Sequence, residues 1–308
     1  MIDLATTVDE YLRVRRALGF KLERETRLLP AFVAFLHRHR GASITTDLAL
    51  RWAMEPTDAS TTWWAKRLGM VRGFARYLQA RDPRTEVPPR ELLPAPGSAR
   101  LEPYVYADDD VRALLKATAI LGPFRGATYA ALLGLLAVTG MRVGEAIALD
   151  RSDIEWRERQ LVIRSGKFGK ARELPLHSTT MAALAAYASG RERAVPRPSS
   201  PAFLLSARRG RRLLYQNVHF YFRRLRGAAG LAGHRPHPPR LHDLRHTFAI
   251  KTLLDWYRAG VDVAPRIASL STYLGHVCPS HTYWYLTATP ELLQLAGQRL
   301  ARRRGEPS

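Results

Sequence analysis

The sequence is short of cysteine, of lysine and of long apolar runs. Cys278 is the single cysteine in 308 residues, which excludes an internal disulfide framework and multi-cysteine zinc sites. The longest apolar stretch, around Tyr129 to Thr139, is far shorter than the ~20 residues of a membrane-spanning helix. The first ten residues are polar and acidic, unlike a secretory signal. These absences predict a soluble protein of the reducing cytoplasm.

The charge is strongly one-sided. Lysine and arginine number 48 against 27 acidic residues, giving a formal net charge of +21, and only six of the 48 are lysines. Arginine stays charged and presents a planar fork that fits phosphate. An arginine-biased genome explains part of this excess. Self-repulsion on this scale opposes compaction unless a polyanion is bound, so the composition points to a polyanionic partner.

Periodicity and proline divide the chain into three parts. Apolar residues at helical spacing predict a helical domain over residues 1–82. Residues 83–103 are rich in proline and predict a linker. Residues 104–308 show mostly helical patterns, with two short strands, 161–164 and 172–176, around a glycine-bearing loop. The prediction is a mainly α (α+β) protein whose second domain carries a small β-hairpin.

The helix predicted over 61–80 is basic as well as apolar. Its apolar residues can face a core, while basic side chains occupy its other faces: Lys66, Arg67, Arg72 and Arg76. Two interpretations fit this pattern: a basic surface that is simply solvated, or a face that lies on DNA phosphates. Given the overall charge, we favour the second.

Four separated segments of the second domain carry side chains suited to one phosphate group. Arg142 follows a helix-ending glycine, and Glu145 is placed to pair with it. His242 and Arg245, three residues apart, share a helix face. His276 follows Leu274-Gly275, and Tyr285 lies nine residues further on. Taken singly, these are also readily explained as a surface ion pair, a satisfied histidine and a surface arginine.

Together and in this order, the segments resemble the tyrosine recombinases, also called phage integrases. The family's Thr-Gly-Met-Arg-x-x-Glu is met at Thr139 to Glu145, its His-x-Leu-Arg-His at His242 to His246, and its Leu-Gly-His at Leu274 to His276. The resemblance covers essentially the whole chain. It implies a helical, SAM-like core-binding domain and a mostly helical catalytic domain over 104–308. The tail around Thr282 to Pro290 looks most like transposon-borne members.

The resemblance also implies an activity and a set of residues. DNA strands would be cut and rejoined through a 3′-phosphotyrosyl intermediate, without metal, ATP or other cofactor. The implied catalytic residues are Arg142, Lys167, His242, Arg245, His276 and the nucleophile Tyr285, supported by Glu145 and by Asp243 as a hydrogen-bonded neighbour of His242. The implied partners are double-stranded DNA with inverted half-sites, further copies of this chain (a dimer on a site and a tetramer in synapsis), and in some cases sibling recombinases.

Chemistry assigns a task to each group. Arginines and histidines hold the phosphate oxygens, His242 is the natural base for Tyr285, and Lys167 can protonate the leaving oxygen. Tyr283 competes with Tyr285 as nucleophile, and Lys170 competes with Lys167 as acid.

The other classes weighed are less favoured. The histidines at 234, 237, 242 and 246 lack the spacing and companions of a zinc site. Other functions considered are a type IB topoisomerase, a catalytically silent DNA-binding relative and a basic RNA-binding protein.

Overall fold

The computed structural model describes residues 3–41, 43–94, 102–164, 171–207, 210–233, 237–276, 278–287 and 289–304. The chain divides after Leu101 into two compact units, each with its own apolar core. Among the described residues, no helix is both long and apolar enough to cross a membrane. The expected mainly helical α+β architecture with a small antiparallel sheet is confirmed.

The first unit is built from helices packed around aromatic and aliphatic side chains. The helices are α1 (Leu4–Ala17), α2 (Glu23–Arg38), α3 (Thr46–Met54) and α4 (Thr61–Gln79). Three of them begin where a side-chain oxygen accepts a backbone N–H, on Asp3, Thr45 and Ser60. Phe32 and Trp52 pack in the centre with ring centroids 5.1 Å apart.

The segment after α4 belongs to the first unit. Thr85 is buried, and the Glu86 N–H donates to the Ile44 carbonyl at 2.8 Å. Arg72 donates to the carbonyls of Pro88 and Pro89, both at 2.6 Å. The expectation of a linker beginning at residue 83 is therefore wrong for residues 83–94, because these contacts satisfy a proline-rich backbone that forms no regular strand or α-helix.

The second unit surrounds the buried helix α6. Its helices are α5 (Asp108–Ala117), α6 (Pro123–Thr139), α7 (Val143–Ala148), α8 (Ser178–Ala194), α9 (Tyr215–Ala228), α10 (Asp243–Arg258), α11 (Val263–Leu274), α12 (Ser280–Tyr283) and α13 (Pro290–Arg304). A three-stranded antiparallel sheet, ordered β1-β2-β3, is formed by Ile154–Glu155, Gln160–Ile163 and Arg172–Pro175. The predicted hairpin is β2-β3. Strand β1 has two residues, too few for an alternating pattern to reveal.

Two glycines end the helices that frame the site. Gly140 follows α6 with φ 59°, and Gly275 follows α11 with φ 66°, both left-handed conformations that favour glycine. A Cβ on Gly140 would lie 2.5 Å from the ring of Phe248 on α10. The end of α6 is therefore held close to the first turns of α10.

Candidate active site

Arg245 is a buried cation of the second unit that two backbone carbonyls hold in place. It is 2% exposed, and its guanidinium donates to the Gly140 carbonyl at 2.8 Å and the Leu274 carbonyl at 2.6 Å. These carbonyls end α6 and α11, where the helix dipole carries partial negative charge. Burial, followed by the repulsion of Arg142, lowers the pKa of Arg245 to about 10. Arg245 is thus fixed in place by carbonyls, and none of its hydrogen bonds within the described residues goes to a carboxylate.

Arg142 is held by Glu145, as the sequence predicted. The Glu145 carboxylate accepts the Arg142 backbone N–H at 2.8 Å and its guanidinium at 2.9 Å. Arg142 also donates to the Gly275 carbonyl at 2.9 Å, so it spans the ends of both glycine-containing segments. The side chain is about a quarter exposed, at 27%, and can reach a ligand.

Arg172 is a site residue that sequence reasoning missed. It opens β3 and donates to Glu145 at 2.8 and 3.1 Å and to the Tyr273 carbonyl at 2.8 Å. Burial alone would raise the pKa of Glu145, but hydrogen bonds and charge from Arg172 and Arg142 outweigh it, and the pKa is lowered. Glu145 therefore stays ionised. One carboxylate among three arginines leaves a surplus of positive charge that suits a phosphate.

Two of the predicted histidines are neutral donors or acceptors here. His276 follows Gly275, and its Nδ1 lies 2.7 Å from the hydroxyl of the fully buried Thr282. Burial, followed by the charge of Arg245, lowers its pKa to about 3. His242 caps the start of α10 and remains solvent-exposed, although desolvation by surrounding protein and the Arg245 charge lower its pKa to about 4.

Tyr285 lies beside these histidines on a 3-10 turn, Trp284–Thr287. It is 2% exposed, and its hydroxyl is 3.0 Å from Nδ1 of His246. The His276 ring is nearly parallel to the Tyr285 ring, with centroids 6.2 Å apart. The competing Tyr283 is 51% exposed. From the sequence, His246 was counted as the last residue of the His-x-Leu-Arg-His motif and was weighed as a metal ligand, but it was given no catalytic role; its position four residues after His242, on the same helix face, was the available signal.

Asp243 is structural, but its contacts differ from those expected. The carboxylate is fully buried and accepts the Arg240 backbone N–H at 2.7 Å and the Arg240 guanidinium at 2.8 Å. The described hydrogen bonds of Asp243 thus go to Arg240, three residues earlier, instead of to His242. They fix the first turn of α10, which carries Arg245. Lys167 and its competitor Lys170 lie outside the described residues.

The basic face expected on α4 is smaller than predicted. Arg67 is buried: it donates to the Trp52 carbonyl at 2.6 Å and stacks 3.8 Å from the centroid of the Trp52 ring. Arg72 is engaged with the carbonyls that follow α4. The expectation that these two arginines face DNA is wrong for Arg67 and is not supported for Arg72. Lys66 and Arg76 are exposed. Within the described ranges, no three histidine, cysteine or acidic side chains are grouped to hold a metal ion.

Gly275 offers a test of how tightly the arginines are placed. A Cβ there would lie 2.8 Å from a terminal nitrogen of Arg172 and 3.4 Å from one of Arg142, whereas Gly260, with a similar φ of 68°, has no neighbour within 4 Å. We expect Gly260→Ala to lower the free energy of unfolding by about 1–2 kcal/mol through backbone strain. Gly275→Ala should cost about 1–3 kcal/mol more, because Arg172 must leave its acceptors. Denaturant unfolding of both variants measures this difference. Equal losses would mean that the arginines are free to shift.

The sequence of this chain is similar to those of known integrases and recombinases. Residues 105–291 match the sequence model described as the phage integrase family. "Putative integrase/recombinase y4rB" of Sinorhizobium fredii is 44% identical over 304 residues, covering 96% of each chain. Tyrosine recombinase XerD of Caulobacter vibrioides is 30% identical over 239 residues, covering 77% of this chain and 72% of that protein.

Solved structures share the fold. The Tn1549 transposon integrase in complex with a circular intermediate DNA superposes with a TM-score of 0.66 at 16% identity, over 96% of this chain and 99% of that one. A lambda integrase dimer bound to a core site gives a TM-score of 0.59 at 20% identity, over 92% and 77%. At these identities, the likeness concerns the fold alone.

Proposed function

Because this chain belongs to the phage integrase family, we propose that it is a site-specific DNA recombinase that cuts and rejoins strands through a 3′-phosphotyrosyl bond to Tyr285. The observation that carries the proposal is the meeting of Tyr285, His276, Arg142 and Arg245 at the ends of α6 and α11, where Glu145 is the carboxylate that pairs with Arg142 and Arg172. The hydroxyl, the cations and the neutral imidazoles come from four separated segments of the chain.

The cations serve the charge that develops on the phosphate. Attack on a phosphodiester gathers extra negative charge on the non-bridging oxygens, and preorganised donors stabilise it most effectively. Arg142 and Arg245 contact these oxygens, with His242 and His276 as further donors. Glu145 and Arg172 act through Arg142, and Asp243 acts through the start of α10.

The leaving 5′ oxygen needs a proton, and Lys167 on the β2–β3 loop supplies it. The bond energy is kept in the phosphotyrosine, so a free 5′ hydroxyl of the partner strand completes the exchange without ATP, metal or other cofactor. Lys170 is the alternative acid.

The partner is double-stranded DNA with inverted half-sites. Lys66 and Arg76 on α4 contact its backbone. Two protomers occupy one site, and two such dimers form the synaptic tetramer, in some settings together with sibling recombinases. Lambda integrase, which shares the fold, has been solved as a dimer on a core site and as a tetramer on a Holliday junction.

The last helix provides the contact between protomers. In this chain α13 packs on its own unit: Leu292 is fully buried, Arg258 donates to Glu291 at 2.5 Å, and Arg299 pairs with Asp262 at 3.1 Å. In the proposed assembly, α13 forms these apolar and charged contacts with a neighbouring copy instead. Deleting residues 290–308 should leave DNA binding within about threefold and abolish recombination, since one lost interface does not remove the phosphate contacts. Gel-shift and recombination assays measure the two effects. Full recombination by the truncated protein would contradict this assignment.

The biological setting is a mobile element acting in the cytoplasm. The Tn1549 transposon integrase shares the fold over nearly its whole solved length, and the composition of the chain fits a DNA-bound protein. A type IB topoisomerase would use the same nucleophile without requiring a second site. A silent relative would bind DNA and form no covalent bond.

Covalent capture in cells tests the proposal. The protein is expressed, the lysate is denatured, the protein is purified, and the DNA still attached is sequenced. Attached fragments that end at one defined position support a recombinase and reveal its site. Fragments that end at many unrelated positions indicate a topoisomerase, and DNA absent after denaturation but present under native conditions indicates a binding protein.

A further inference from the structure

His246 contacts Tyr285 and is not among the groups proposed above to bind the phosphate. Nδ1 of His246 lies 3.0 Å from the Tyr285 hydroxyl, a hydrogen-bond distance. The imidazole is fixed on two further sides: the His242 ring stands nearly perpendicular to it at 4.7 Å, and the Trp284 ring lies at 5.4 Å. These ring contacts hold the His246 imidazole so that its Nδ1 faces the Tyr285 hydroxyl.

His246 is neutral under physiological conditions. Burial, with the nearby His242, Arg240 and Arg245, lowers its pKa to about 3. In the tautomer that carries its proton on Nε2, a neutral imidazole offers Nδ1 as an acceptor, and the Tyr285 hydroxyl then donates to it. The hydrogen bond therefore already points along the direction in which the phenolic proton would leave.

We propose that His246 is the catalytic residue that takes the Tyr285 proton as the phenolic oxygen attacks the phosphate. The inference rests on the proposed recombinase function. In this step the phenolic oxygen bonds to phosphorus, the bond from phosphorus to the 5′ oxygen breaks, and the phenolic proton moves to Nδ1. The 5′ oxygen takes a separate proton from the acid, for which Lys167 is proposed.

Binding of DNA strengthens this base. Positive neighbours make protonation of the His246 imidazole unfavourable. A phosphate bound by Arg142 and Arg245 would add negative charge near this imidazole, and a nearby negative charge raises the pKa of a histidine. His246 is thus a weak base without DNA and a stronger one with it. This assignment replaces His242, which is exposed at the start of α10 and is left to contact the phosphate.

Two substitutions distinguish a His246 that accepts the Tyr285 proton from a His246 that only positions the Tyr285 hydroxyl. His246→Asn keeps an acceptor near the Nδ1 position but cannot take a proton, whereas His246→Ala removes both properties. We expect both variants to attach DNA roughly 10²- to 10⁴-fold more slowly than wild type in the cellular capture. Circular dichroism and native DNA binding check that each variant folds. Wild-type attachment by His246→Asn would overturn the proposal.

A more acidic phenol provides the matching rescue. Placing 3,5-difluorotyrosine at position 285 reduces the need for a base, so it should restore attachment by His246→Asn at least ~10-fold, and it should not restore a His276→Ala variant. A loss that difluorotyrosine leaves unchanged would make His246 purely structural and overturn the proposal.

Nitrogen NMR of the free protein tests the contact without any DNA. The Nδ1 resonance of His246 should be that of an unprotonated acceptor and should shift in Tyr285→Phe. A protonated Nδ1 overturns the inference whatever the capture gives. If wild type captures no DNA at all, the recombinase function fails instead, and the two failures remain distinguishable.

Discussion

Tyr285→Phe is expected to abolish covalent attachment to DNA while leaving DNA binding intact. Phenylalanine keeps the buried ring and removes only the hydroxyl, together with its contact to His246. The lost hydrogen bond should change the free energy of unfolding by only about 1 kcal/mol, so loss of attachment cannot be blamed on misfolding. The measurement is DNA retained after denaturation, alongside gel-shift affinity under native conditions.

Tyr283→Phe is the matched control. The two tyrosines are two residues apart, but Tyr283 is 51% exposed and Tyr285 is held among the histidines. Tyr283→Phe should attach DNA at the wild-type rate. Loss of attachment in Tyr283→Phe with retention in Tyr285→Phe would exchange their roles, and retention in both would refute a tyrosine nucleophile in this segment.

Arg245→Ala should slow covalent attachment about 10²- to 10³-fold, the usual cost of removing one preorganised donor from a developing negative charge. Affinity should fall less, because Arg245 supplies one phosphate contact among many, and the slope of log affinity against log salt should decrease by about 1. Single-turnover attachment on a duplex carrying the captured sequence measures the first effect, and a salt titration of binding measures the second.

Arg193→Ala provides the control for charge alone. Arg193 is exposed near the end of α8, and its replacement by alanine removes the same formal charge as Arg245→Ala. Attachment by Arg193→Ala should remain within about threefold of wild type, as expected for an exposed surface charge. Similar losses in the two variants would show that total charge, and not the position of Arg245, determines the rate.

The sequence carried enough information to predict local geometry. Glu145 lies three residues after Arg142 across a helix start, so their pairing follows from helix geometry alone. The end of α6 was predicted as well, because the glycine before Arg142 ends a helix. Short-range periodicity and turn chemistry are properties of a few consecutive residues, and these are visible without a structure.

Contacts between distant residues were not visible. Arg172 reaches the Tyr273 carbonyl across 101 residues, and His246 reaches Tyr285 across 39. No local pattern encodes either contact. The prediction for Arg67 was wrong for another reason. A charged side chain was assumed to face water, but inside the first unit the Trp52 carbonyl and the Trp52 indole ring provide contacts for the Arg67 guanidinium.

Because Arg245 and Arg142 are anchored on carbonyls at the ends of α6 and α11, the distance between the cations is set by where those helices stop. One inserted residue would turn the end of α11 by about 100° and advance it by about 1.5 Å, carrying both carbonyls away from their arginines. Anyone redirecting this enzyme to a new DNA sequence should therefore substitute side chains and keep the lengths of these two helices. The lengths of α6 and α11 determine where the two arginines lie, and therefore affect the chemistry, so insertions or deletions in these helices should be avoided.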